Sequence, residues 1–327
     1  MSLDADQIVD RRRMRRKLTF WRIVTVLVAI LAIGALAAAL GRRGDLPAAV
    51  GAQISRVTIS GVILGNRDRV EALTRLSKSS STRAVIVHID SPGGTVPGSE
   101  QLYHALRLVA ENKPTVVVVD GLAASGGYMA AMASDHIIAQ DSSIVGSIGV
   151  LYQYPNVTDL LKTVGVQVET IRSTPLKAQP DGFEPTSPLA RAAIESMVMD
   201  MYAWFQKIVE DRRKLTGDAL AKVVDGRVFT GRQGLEVKLV DEIGDEQTAI
   251  DWLAKQKGID SSLPVRDWRL SPRFSELSFL HVSAAAVLDT VGLGALARRL
   301  SETGSVQALE RLNLDGLLAL WHPSATN

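Results

Sequence analysis

The chain contains no cysteine, and that single absence removes disulfides, thiol catalysis and cysteine-ligated zinc from consideration. The H-E-x-x-H metal spacing is missing as well, and so is the phosphate-cradling G-x-x-x-x-G-K run, so neither a metal nor another cofactor is expected. The G-x-S-x-G elbow does not occur either, because Ala123 holds the place of its first glycine ahead of Ser125. Histidines number five, and none is set out as a triad would present it. His88 and His136 sit within apolar strand patterns, His104 falls on a predicted helix, and His281 and His322 belong to the tail. His88 and Asp90 share one short run, whereas triad partners come from separate loops.

Charge is present but nearly balanced, at +2, so its placement matters more than its sum. Arg11, Arg12, Arg13, Arg15, Arg16, Lys17 and Arg22 crowd the N-terminus directly before the uncharged run Ile23 to Leu40. About 18 residues at 1.5 Å rise span ~27 Å, which suits the hydrocarbon core of a bilayer. A single transmembrane helix at 23–40 is therefore expected. The basic residues at 1–22 keep that end in the cytoplasm, although Arg42 and Arg43 weaken the asymmetry, and the rest of the chain is expected outside an inner membrane. Ala37, Ala38 and Ala39 leave a cleaved signal peptide as the alternative. No aromatic platform accompanies the basic cluster, so nucleic acid is not expected as a partner.

Beyond a linker at 41–53, strand and helix patterns alternate. Ile54 to Leu64 reads as a strand, Val70, Leu73 and Leu76 as one face of a helix, and Ala84 to Ile89 as a buried strand. Gln101 to Ala110 follows as a helix and Thr115 to Val119 as a β-branched strand. Such alternation predicts an α/β fold with a largely parallel sheet covered on both faces. His136 to Ala139, Ile148 to Tyr152 and Val166 to Ile171 read as further short strands, the last delivering Lys177. Leu189 to Leu215 is a long helix whose stripe Met197, Met201, Trp204 and Ile208 belongs to core or a subunit interface. In the tail, Asp289 argues against a second span within Phe279 to Leu300. Leu312 to Trp321 reads as an amphipathic helix, packed in the core or between subunits in preference to a membrane surface.

Three stretches carry chemistry. Gly121 to Tyr128, G-L-A-A-S-G-G-Y, puts Ser125 at a strand-to-helix junction, where the N–H of Gly126 can face a developing oxyanion. The competing role for such a serine is a plain helix cap. His88 to Gly94, H-I-D-S-P-G-G, ends a strand in a turn whose exposed amides could supply a second oxyanion donor. Ser173 to Pro180, S-T-P-L-K-A-Q-P, offers one lysine, Lys177. A lysine takes a proton only when neutral, which from an ordinary pKa near 10.4 requires a lowering of about 3, roughly 4 kcal/mol. Burial in a dry cleft can supply it, and no carboxylate adjoins Lys177 in sequence.

In the order D-S-P-G-G, A-A-S-G-G-Y, G-S-I-G-V and then the lysine loop, the chain resembles the signal peptide peptidase A family of serine proteases, from about Ile54 to about Leu253. The resemblance implies a ClpP/crotonase-like fold and a Ser/Lys dyad. By position, Ser125 matches the nucleophile and Lys177 the general base. Gly94 and Gly126 match the oxyanion donors, and Ser147 the serine that orients the lysine amine. It also implies hydrophobic peptide substrates, signal peptides above all, and a homo-oligomeric ring beside membrane lipid. Arg227 to Gly244 fits the family too, except that Gly234 and Lys238 stand where Ala and Gly are expected. The expected organisation is a protease domain at 54–258 and a helical extension at 259–327. Two rivals stay open: a crotonase-like acyl-CoA enzyme, and an inactive membrane scaffold of the same fold.

Overall fold

A computed structural model describes residues 51–270 and 317–320, together with residues 17 and 21. The expected membrane helix at 23–40 and the Ala- and Leu-rich stretch 279–300 lie outside the described residues. Among those described, no helix is long and apolar enough to cross a membrane.

The centre of the molecule is a sheet in the order β10-β1-β2-β4-β5-β9. It is built from β1 (Gln53–Ser60), β2 (Thr82–Ser91), β4 (Thr115–Ala124), β5 (His136–Ala139), β9 (Glu242–Ile243) and β10 (Val265–Asp267). All five of these pairings are parallel. The strands form where β-branched residues run together. Val85, Ile86, Val87 and Ile89 have no exposed surface, and each such burial contributes about 1.5–3 kcal/mol. Alternate positions face opposite ways. Val85, Val87, Val117 and Val119 pack with Leu73 and Leu76 of α1 (Arg67–Lys78) and Leu102, Leu106 and Val109 of α2 (Val96–Asn112). Ala84, Ile86, Val116 and Val118 meet Ala249 and Leu253 of α8 (Glu246–Lys257) on the other face. The α/β expectation therefore holds, because a strand buried on both sides needs helices on both sides.

One expected boundary moves, and one expected strand does not form. The sheet continues past residue 258, since β10 pairs with β1, so the stretch after 258 begins with a strand and not with a helix. The expected strand at Val166 to Ile171 is absent. After the short helix α4 (Thr158–Thr163) the backbone is irregular, and Val166, Val168 and Ile171 are exposed with no neighbouring strand to pair with. A β-rich composition cannot make a strand without a ladder partner. The helix α5 (Pro188–Arg213) does form, and its C-terminal part buries Phe205, Ile208 and Val209. Met197, Met201 and Trp204 of the expected stripe are half-buried.

On the α8 face, Arg56 holds the Glu246 carboxylate through Nε and Nη2, both at 2.6 Å, and His88 Nε2 lies 2.7 Å from it. The guanidinium hydrogen bond lowers the Glu246 pKa from its ordinary 4.5, against the opposing effect of burial. A lowered carboxylate stabilises the fold above the ordinary value and ceases to as the pH falls below it. Glu246→Gln should therefore lower stability by about 1–3 kcal/mol at neutral pH and flatten the acid limb of the Tm-against-pH curve below about 4.5. An unchanged acid limb would show that Glu246 is not the group responsible.

Lys238, one of the two departures from the family pattern, follows α7 (Gly231–Glu236) with φ +63°, a left-handed conformation that glycine adopts more cheaply. Its carbonyl accepts a 2.7 Å hydrogen bond from Arg213 Nε, which fixes the conformation. Lys238→Gly should raise stability by up to about 1 kcal/mol, read as a higher Tm. A lower Tm would mean that the lysine side chain contributes packing that outweighs the strain. Gly234, the other departure, packs against Val145 and Val240.

Candidate active site

The strand β4 ends at Ala124, and Ser125 turns the chain into α3 (Gly126–Ala131). Its backbone has φ +53° and ψ −118°, a sparsely populated conformation for a non-glycine residue, with a cost on the order of 1–3 kcal/mol. Two main-chain bonds hold it there, Ser125 N–H to Gly146 O at 2.7 Å and Met129 N–H to Ser125 O at 2.9 Å. The side chain makes no capping bond to α3. Helix capping thus fails as an account of Ser125, whose backbone is strained and whose hydroxyl makes no capping bond. Gly126 is the first residue of α3, so its N–H has no acceptor within the helix.

The Pro-Gly-Gly turn lies alongside. Ser91 pairs with Ala123 in the sheet, and Gly127 approaches Ser91 so closely that a Cβ on it would stand 2.6 Å from the Ser91 carbonyl oxygen. Beyond Ser91 comes β3 (Gly93–Thr95), bridged to Ile63. A Cβ on Gly94 would fall 1.8 Å from Ile63 O, so only glycine allows this approach. Ser91 itself is fully buried, donates to Gly61 O at 2.7 Å and accepts from Gly93 N–H at 3.1 Å, which locks the turn. That positioning residue was missed from sequence, although a serine ahead of Pro-Gly-Gly is a known turn former.

Ser147 follows β6 (Ile144–Gly146), which pairs in parallel with the end of β4 so that Gly146 is opposite Ala124. Ser125 and Ser147 thus each follow directly on the ends of two paired strands. Both have positive φ, +53° and +52°, and Ser147 is held by a 2.8 Å bond from its N–H to Arg227 O. Helix α3 is anchored behind them by Tyr128, fully buried, whose hydroxyl donates to Leu239 O at 2.7 Å. Burial raises the Tyr128 pKa, keeping that donor protonated. Arg212 of α5 caps the far end of α3, donating to Met132 O at 2.8 Å and Ser134 O at 2.7 Å.

Lys177 is not brought into this group. It sits in an exposed turn, its backbone N–H bonded to Thr174 O at 3.1 Å, and no hydrogen bond or ion pair joins its amine to Ser125 or Ser147. The loop is nevertheless shaped, because Arg172 at its start bonds Asp181 and reaches Glu184 at 2.6 Å beyond it. The expected dry surroundings of Lys177 are therefore absent within one chain.

The histidines stand elsewhere. His88 is held at both ring nitrogens, by Asp120 at 2.9 Å and Glu246 at 2.7 Å, on the sheet face opposite α3. His136 bonds Glu242 at 3.1 Å and stacks on Trp252. His104 is exposed on α2.

A sequence model of peptidase family S49 matches residues 107–260, and one of Clp protease matches residues 65–144. A candidate protease of Synechocystis sp. is 35% identical over 209 residues, covering 64% of this chain and 76% of that protein. The chloroplastic serine protease SPPA of Arabidopsis thaliana is 30% identical over 283 residues, covering 82% of this chain but 40% of its own length. Protease 4 of Haemophilus influenzae is 30% identical over 213 residues, 61% of this chain and 34% of its own length. The chain thus spans well under half of these two longer relatives. Together with the serine mounted at the end of β4, these likenesses place the chain in peptidase family S49, the signal peptide peptidase A family of serine peptidases.

Proposed function

We propose that this chain is a membrane-anchored serine endopeptidase that cuts signal peptides and other hydrophobic peptides with a Ser125/Lys177 dyad. The observation that carries the reading is the Ser125 elbow, strained to φ +53° and free of any capping bond, with the Gly126 N–H beside it. Ser125 Oγ attacks the peptide carbonyl, Lys177 takes its proton and passes it to the leaving amine, and the N–H groups of Gly94 and Gly126 receive the oxyanion. Ser147, one strand away, orients the lysine amine. A fluorophosphonate probe should form a covalent adduct mapped to Ser125 and lost in Ser125→Ala. An adduct on another serine would redirect the assignment, and a crotonase-like enzyme would give none.

Assembly of several copies into a ring is part of the same reading. Leu160, Val164, Val166, Val168, Ile171 and Phe183 are exposed large apolar side chains clustered in sequence around the lysine loop. Covering that surface with a second copy would exclude water from the lysine loop. Sedimentation should therefore show an oligomer. The N-terminal segment 23–40 anchors the chain in an inner membrane with its basic end in the cytoplasm and the catalytic domain outside. In oriented vesicles, protease added on the extracytoplasmic side should reach residues 45–327; digestion from the cytoplasmic side alone would reverse the topology.

A further inference from the structure

The lysine loop is closed by a cluster of charged side chains that the proposed chemistry does not use. Arg172 stands at one end and Asp181 at the other, with residues 173–180 between them, and both side chains are largely buried. Arg172 Nη2 donates to Asp181, and Nη1 lies 2.6 Å from a Glu184 carboxylate oxygen. Asp181 also accepts from the Phe183 N–H at 2.9 Å. No other carboxylate occurs between residues 170 and 187, so one guanidinium engages both. The far end of the loop is fixed to the run that follows β7 (Leu151–Tyr152). There Val157 N–H donates to Gly182 O at 2.9 Å, and the Tyr154 and Thr186 hydroxyls share a hydrogen bond. A Cβ on Gly182 would fall 2.1 Å from Pro155 O, so this approach needs glycine. Around Lys177 the main-chain bonds, Lys177 N–H to Thr174 O at 3.1 Å and Gln179 N–H to Leu176 O at 3.3 Å, begin and end within the loop. Arg172 thus ties the start of the loop to its anchored end.

We propose that Arg172 is a positioning residue for the reaction, which bridges Asp181 and Glu184, holds the lysine loop closed and so fixes where the Lys177 amine is presented. The proposal rests on the reading of Lys177 as the general base. Stability alone accounts poorly for the cluster. Burying an arginine with its carboxylates costs desolvation that their attraction roughly repays, and Arg172 Nε is buried with no acceptor among the described residues. What such a cluster does secure is a single geometry. A catalytic group displaced by about 1 Å can lose about 10²-fold in rate. The loss falls on kcat, because a misplaced amine changes the chemical step and leaves the apolar contacts to the peptide as they were.

The test uses the full chain. Arg172→Met should lower kcat for a fluorogenic apolar peptide about 10²-fold, with KM changed by less than about twofold. Arg172→Lys keeps the charge but loses the two-armed grip, so its kcat should fall between those of Arg172→Met and the parent. In a Lys177→Ala background, Arg172→Met should cost less than about twofold more, because no amine is left to position. Removing the arginine alone leaves two carboxylates without their cation, so the combination of Arg172→Met, Asp181→Asn and Glu184→Gln controls for folding. It should keep the Tm of the parent and still lose kcat as Arg172→Met does. A readout without turnover comes from the Ser125→Ala chain, in which trypsin should cut between Lys177 and Ala178 about tenfold faster when Arg172→Met is added. An unchanged kcat, an equal loss with and without Lys177, or an unchanged trypsin rate would overturn the positioning role. Near-normal turnover by Lys177→Ala would instead overturn the reading of Lys177 as the base, and the trypsin comparison separates that failure from a failure of the Arg172 clamp.

Discussion

Ser125→Ala is expected to reduce kcat/KM for a hydrophobic peptide by roughly 10⁴-fold or more, the scale seen when a serine nucleophile is removed. The variant also discriminates sharply between catalysis and architecture. The Ser125 hydroxyl makes no capping bond, and alanine inherits the same strained φ, so stability should stay within about ±0.5 kcal/mol of the parent. Had Ser125 been a structural cap, its loss would cost about 1 kcal/mol. Activity should survive chelators, and thiol-blocking reagents have no cysteine to attack. Residual turnover close to the parent, or chelator inhibition reversed by added metal, would remove Ser125 from the role of nucleophile.

Lys177 variants give the second large effect. Lys177→Ala deletes the base and should lower kcat/KM by about 10²- to 10⁴-fold. Lys177→Arg should fail to a similar degree, because a guanidinium keeps its charge and does not give up its proton in the working range. Lys177→His should retain a trace of activity, since a neutral imidazole can accept a proton near neutral pH. Near-normal turnover by Lys177→Arg with an unchanged pH profile would reduce Lys177 to a positional charge. A histidine replacement for it is hard to find in the described structure. His88 is committed at both nitrogens on the far face of the sheet and His136 is tied to Glu242, while His104 stands exposed on α2.

These expectations draw unequally on sequence and structure. Ser125, Gly126 and Gly94 could be read along the chain because each sits in a local motif, a strand end followed by a glycine turn. Ser147 was likewise legible in G-S-I-G-V, although only the pairing of β6 with β4 shows why it stands beside Ser125. Ser91 escaped notice because its role is to hold two main-chain groups, Gly61 O and Gly93 N–H, one of which is thirty residues away in sequence. Arg172 escaped for the same reason, since its partners Asp181 and Glu184 become neighbours only when the lysine loop closes.

The sequence by itself determined the central architecture. Runs of β-branched residues separated by helical periods leave little alternative to a parallel sheet between helices, because burial on both faces is already written into consecutive residues such as Val85, Ile86 and Val87. Tertiary structure decided whatever depends on a partner far along the chain. Val166 to Ile171 has the composition of a strand and none of the structure, having no ladder to join. Leu317–Leu320 is a strand where a helix was expected, because β3 and β7 offer it hydrogen bonds on both sides. Backbone hydrogen bonds in a helix are satisfied within a few residues, and those in a sheet only across the fold. That difference is why the elbow at Ser125 was visible in the letters and the strand between β3 and β7 was not.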